Sequence, residues 1–142
     1  ILTNHAYHTR EIKVFGGSQL RPNIHIKDMI DCYLNVIDAN KDKINGQIFN
    51  VGFKNQSVDE LAEDVKEIIG EDIKIRKTKT DDNRSYHVSS EKIRSILGFK
   101  TKYTVKNAVQ DLKNAFETGL LIDTFNNENY FNIKRMQSIN LK

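Results

Sequence analysis

The chain has 142 residues, 38% hydrophobic and 29% charged, a composition that supports one compact domain with a real hydrophobic core and excludes a disordered chain. Its 22 basic and 19 acidic side chains leave a net charge of +3 and are scattered along the sequence, so the field needed to hold a polyanion is weak and nucleic acid is not an expected partner. The single cysteine, Cys32, allows no internal disulfide, and no run nears the roughly 20 apolar residues of a membrane span, so the expectation is a reducing cytoplasm and no membrane.

The opening stretch ILTNHAYHTR has neither an initiator methionine nor a signal-peptide pattern and reads as part of a longer protein. Four short β-rich runs follow, EIKVF (11–15), NIHI (23–26), QIFNV (47–51) and DIKIRK (72–77), each bounded by Gly, Pro, Asn or Asp. After the second, Asp28 is placed to cap a helix through Ala39. Because Met29, Ile30, Tyr33, Leu34, Val36 and Ile37 cover more than one face, that helix is predicted to be largely buried, with Cys32 as an inert packing residue.

The segment SVDELAEDVKEIIG is the clearest helix: Ser57 and Glu60 form a capping box, Val58, Leu61, Val65, Ile68 and Ile69 make one apolar stripe, and Gly70 supplies the stop. Its acidic start, Asp59, Glu60, Glu63 and Asp64, complements the helix dipole and is not read as a metal site. Two more helices are predicted, one from the serines at 89 and 90 to Gly98 and one from Thr104 to Gly119. Alternation of this kind predicts an α/β domain with short mixed strands, about four helices and at least one parallel pair, over residues 1–124. Residues 125–142, polar and basic, are expected to form a tail that docks or frays.

Motifs for catalysis are missing. The sequence has no glycine-rich dinucleotide loop, P-loop, G-x-S-x-G elbow or zinc spacing; His5 and His8 lack a third ligand, His25 reads as structural, and Gly16-Gly17 precedes SQLRP and reads as a turn. Arg21 and Arg84 stand out because both are expected in loops, where two guanidinium forks could converge on a diphosphate. From the residues alone, two solvated surface charges remain the alternative.

Four runs in order carry a family resemblance: G-x-x-Q-x-R-x-x-x-H-x-x-D beginning at Gly16, F-N-V-G at 49–52, D-x-R-x-Y-x-x-x-x-x-K-I beginning at Asp82, and L-G-F at 97–99. Together they resemble the C-terminal part of the extended short-chain dehydrogenases/reductases, the NAD-dependent nucleotide-sugar epimerases and dehydratases, over most of residues 10–120. The resemblance implies that Arg21 and Arg84 contact the diphosphate of a nucleoside diphosphate sugar, and that Lys13 and Phe15 border the base. Asn23 stands where an aromatic residue often lies, as a contact without ring stacking.

The resemblance also implies that NAD or NADP is held by an N-terminal Rossmann part, with a Y-x-x-x-K motif, neither of which is found in this chain; no catalytic residue is therefore assigned. The expected role is a substrate-binding lobe that works with that Rossmann part. The alternative is a stand-alone interaction module derived from the family, whose exposed apolar surface would favour a homodimer.

Overall fold

The structure, a computed structural model, describes residues 1–82 and 84–141. Its first element, α1 (Leu2–Thr9), was not predicted. No side chain caps its start, and the sequence is laced with Asn, His and Thr; it is held by tertiary contacts, burying Thr3 and Ala6 and packing Tyr7 on Phe116. Strand β1 (Glu11–Phe15) follows the predicted bounds, with Ile12 and Val14 buried and Lys13 and Phe15 outward, as a period of two requires.

The second strand, β2 (Leu20–Asn23), lies earlier than the predicted 23–26. His25 instead caps α2 (Ile26–Ile37), its Nδ1 accepting a hydrogen bond from the Lys27 backbone N–H. Asp28 therefore does not cap the helix. It is fully buried in the first turn, where Oδ1 accepts from Lys102 N at 2.9 Å and Oδ2 from Tyr103 N at 3.0 Å, stapling α2 to a distant loop.

After the short α3 (Lys41–Ile44), the predicted strand at 47–51 makes no ladder; pairing begins only at β3 (Lys54–Ser57). The alternation is nonetheless kept, with Phe49 and Val51 packed against Cys32, Ile93 and Phe99 while Ile48 is exposed. A strand needs a partner for its N–H and C=O groups, and none lies beside this segment among the described residues.

Helix α4 (Val58–Ile69) has both hydrogen bonds of the Ser57/Glu60 capping box and ends at Gly70. Strand β4 (Lys74–Thr78) pairs with β1 in parallel, from Glu11 opposite Lys74 to Phe15 opposite Thr78, which gives the predicted parallel pair. Then come α5 (Glu91–Leu97), α6 (Val105–Glu117), capped reciprocally by Thr104 and Asn107, a 3₁₀ turn at Glu128–Tyr130 and α7 (Asn132–Ser138). Among the described residues seven α-helices thus stand where about four were expected, the additional ones being α1, α3 and α7.

The main core joins α1, α4 and α6 to β1 through Ala6, Ile12, Val14, Ala62, Val65, Ile69, Ile73 and Val109, with half-buried Ile75 of β4 packed against it. Ile12 is fully buried there, and truncating such a side chain to alanine costs about 2–5 kcal/mol. Phe125, at the start of the expected tail, packs edge-on against both His5 and His8, and the buried Thr124 hydroxyl donates to Asn4 Oδ1 at 2.5 Å.

Helix α2 departs most from expectation. Cys32 is buried and Val36 half-buried on one face, but Ile26, Ile30, Tyr33, Leu34 and Ile37, spaced to form one continuous face, are exposed, Ile37 at 73%. The apolar coverage on more than one face is real. One of those faces has no partner among the described residues.

Candidate functional site

Strand β1 runs into Gly16 and Gly17, whose φ angles of 76° and 128° suit glycine, and this turn aims the chain into β2. Gly16 N donates to Thr78 O, Gly17 N to Gln19 Oε1 and Gln19 Nε2 to Phe15 O, while Gly17 O accepts from Asp59 N at the start of α4. A Cβ on Gly17 would collide with the Asp59 carboxylate. The turn is therefore packed shut against α4.

Arg21 lies on β2 rather than in a loop. The strand pairs antiparallel with β3, Arg21 opposite Gln56, and the loop after β4 is tied to β2 at Leu20: Leu20 N donates to Ser85 Oγ at 2.9 Å and Tyr86 N donates to Leu20 O at 3.1 Å. Arg21 Nη1 donates to Leu20 O and, at 2.6 Å, to the backbone oxygen of Arg84, while its guanidinium carbon lies 5.5 Å from the Tyr86 ring centroid. The two arginines singled out in the sequence, 63 positions apart, are neighbours.

Arg84 is 73% exposed at its side chain and makes a two-point bond with Asp82, Nε to Oδ1 and Nη2 to Oδ2, both 2.7 Å. Asp82 Oδ1 also accepts from Arg84 N at 3.1 Å. The Arg84 hydrogen bonds, then its charge and that of Arg21, hold the Asp82 carboxyl well below the usual carboxylate range, and Asp82 raises Arg84 in turn, first by hydrogen bonding and then by charge. Asp82 lines a groove of about 590 Å³ with Gly16, Ser18, Gln19, Lys79 and Ser85, and neither Arg21 nor Arg84 is among its lining residues.

The other sequence candidates sit elsewhere. Lys13 and Phe15 share a face of β1 and line a separate groove of about 410 Å³ with Leu2 and His5 of α1. Asn23 is turned inward, its Nδ2 donating to Arg21 O and its backbone oxygen accepting from Phe53 N. A further groove, about 360 Å³ between Phe53, Ser90, Arg94 and Phe99, contains none of the five. Asp82 and Tyr86, which complete the surroundings of the arginines, are the D and Y of the D-x-R-x-Y run, to which the sequence reading assigns no role. An aspartate two positions before an arginine in an Asn/Asp-rich loop is the local signal for such a turn.

Arg21 Nη1 is spent on carbonyl oxygens and Arg84 Nε and Nη2 on Asp82, so the remaining guanidinium N–H groups are those available for an anion. The arrangement can bind phosphate oxygens; it contains no paired general acid and base. The Gly16-Gly17 turn does not fit a dinucleotide pyrophosphate, because it leads into a strand rather than a helix and both glycine N–H groups are already bonded.

Residues 1–52 match the family model described as the NAD dependent epimerase/dehydratase family. Of the four runs that carry the resemblance, this stretch holds the first two, at 16–28 and 49–52. The matched stretch includes Arg21 and Asn23 but ends before Arg84. No curated protein matches the chain.

Among solved structures, the fold is similar to ADP-L-glycero-D-manno-heptose-6-epimerase of Helicobacter pylori, with 24% identity, a TM-score of 0.69 and coverage of 82% of this chain and 36% of that one. It is also similar to UDP-glucose 4-epimerase of Thermotoga maritima with UDP-glucose, at 21%, 0.69, 84% and 39%. For L-threonine dehydrogenase of Phytophthora infestans the values are 9%, 0.73, 83% and 40%. At these identities the likeness establishes the α/β fold, and the chain spans about two fifths of each structure's length.

Proposed function

We propose that this chain is the substrate-binding lobe of an NAD(P)-dependent nucleotide-sugar epimerase or dehydratase, with residues 1–124 as the lobe and 125–142 as its appendage. The observation that carries the reading is the bond from Arg21 to the Arg84 backbone oxygen, which ties the two arginine positions together next to Asp82 and Ser85 of a surface groove. A diphosphate suits such a pair, because its oxygens accept from fork-shaped donors and two forks would fix its orientation. A neighbouring epimerase fold with UDP-glucose supports the choice of ligand class.

In this account NAD or NADP belongs to a Rossmann part that supplies the redox chemistry, and this lobe contributes binding energy and orientation of the sugar. The exposed face of α2 is the surface that fits such a part, an apolar stripe for packing, with the extended 47–51 segment, unladdered among the described residues, beside it in the chain. A second reading, an interaction module that forms a homodimer, draws on the same α2 face. Charged substitutions at Ile30 and Leu34 help separate the two: loss of a dimer in a protein that shows no affinity for a nucleoside diphosphate favours the module.

The test of the main reading compares a nucleoside, its monophosphate and its diphosphate on the full-length protein. Affinity should rise with each phosphate, and Arg21→Lys, which keeps the charge and removes the fork, should reduce that rise. Equal affinity for nucleoside and diphosphate contradicts the proposal.

A further inference from the structure

We propose that Asp82 is a positioning residue: it fixes the Arg84 guanidinium by one edge so that the Nη1 side is presented to a phosphate. This rests on the diphosphate-binding reading above. A guanidinium offers one side-on edge, Nε with Nη2, and one end-on edge, Nη1 with Nη2. Asp82 occupies the first with both carboxylate oxygens; among the described residues Nη1 makes no hydrogen bond within 3.5 Å, and the Tyr86 hydroxyl is the other polar group beside the guanidinium.

Asp82 is itself anchored. Its backbone N–H donates to Thr80 Oγ1 at 3.2 Å, and its Oδ1 also receives the Arg84 backbone N–H, so carboxylate and arginine are locked into one local turn. From the other side, Arg21 Nη1 holds the Arg84 backbone oxygen. The side chain and the main chain of Arg84 are thus each tied to a different element. A long exposed arginine otherwise samples many rotamers, and a ligand that immobilises it loses affinity in proportion.

The alternative role for Asp82 has the opposite sign. As a plain negative charge beside the phosphate it would repel the ligand, and its removal would tighten binding. As a positioning group, its removal frees the Arg84 side chain and weakens binding despite the gain in positive potential.

The experiment is calorimetric titration of the full-length protein with inorganic pyrophosphate, for wild type, Asp82→Asn, Asp82→Ser, Arg84→Ala and the double variant Asp82→Asn/Arg84→Ala. Asn and Ser both retain an acceptor for the Arg84 backbone N–H, so the turn can persist in either. Weakening of about twofold to tenfold in the single Asp82 variants is expected, the span set by the cost of immobilising one long side chain. The loss should vanish in the Arg84→Ala background, because Asp82 acts through Arg84. Tighter or unchanged binding in Asp82→Asn overturns the proposal, as does an equal loss in both backgrounds, which would mark a purely backbone role. Unchanged affinity in Arg84→Ala would instead overturn the diphosphate-binding reading, and the positioning role with it.

Discussion

Replacing Asp28 by alanine removes a carboxylate that is fully buried and accepts two backbone N–H groups, those of Lys102 and Tyr103. Each hydrogen bond to a charged group contributes about 1.5–3 kcal/mol, and the relief of desolvating the carboxylate offsets part of the loss, so the net cost is about 3 kcal/mol. With an unfolding entropy of about 2.1 cal/mol/K per residue, a chain of this size should lose about 10 °C in Tm. Asp28→Asn should fall nearly as far, because one of its two polar ends is a donor facing another donor. Thermal unfolding followed by circular dichroism gives the answer directly. A Tm within about 2 °C of wild type for both variants would refute the claim that Asp28 staples α2 to the loop before α6.

Gly17→Ala should destabilise the fold by about 2 kcal/mol, since side chains rarely adopt a φ of 128° and the Asp59 carboxylate would also have to turn away; denaturant unfolding checks it, and a neutral result contradicts the strained turn. Asp72, Asp82 and Asp111 are held below the ordinary carboxylate range, chiefly by hydrogen bonds from Arg10, Arg84 and Lys27 respectively. Their folded-state pKa values lie below the unfolded ones, so their stabilising contribution is complete above the ordinary value near ~4 and is lost as pH falls through the folded values. Acid titration of stability should show that loss, and it should be smaller in high salt because these pairs are exposed. Burial raises the Cys32 thiol pKa, so a thiol-reactive dye at neutral pH should label Cys32 far more slowly than free glutathione until the protein is unfolded.

Local signals are legible in the sequence. The Ser57/Glu60 box, the apolar stripe behind it and the Gly70 stop all act within one segment, and α4 begins and ends where they place it. The α/β class and a parallel pair likewise followed from alternation. What escaped depends on distant partners. Helix α1 is held by tertiary contacts rather than by caps, and Asp28 took its role from residues 74 and 75 positions away.

The strand pattern at 47–51 was right in its alternation but not in its pairing, because pattern reports the faces of a strand and not the presence of a neighbour. The apolar excess of α2 was visible, and burial was the wrong inference from it. For the site, two arginines could be chosen from sequence, but their adjacency and the hold of Asp82 on Arg84 required the fold.

The central claim is tested most directly by calorimetric titration of UDP, dTDP, CDP and GDP sugars into the full-length protein, beside Arg21→Ala and Arg84→Ala. The account predicts selective binding of one nucleotide class, weakened in both variants. Equal affinity in wild type and both variants, for whichever sugar binds, would contradict it.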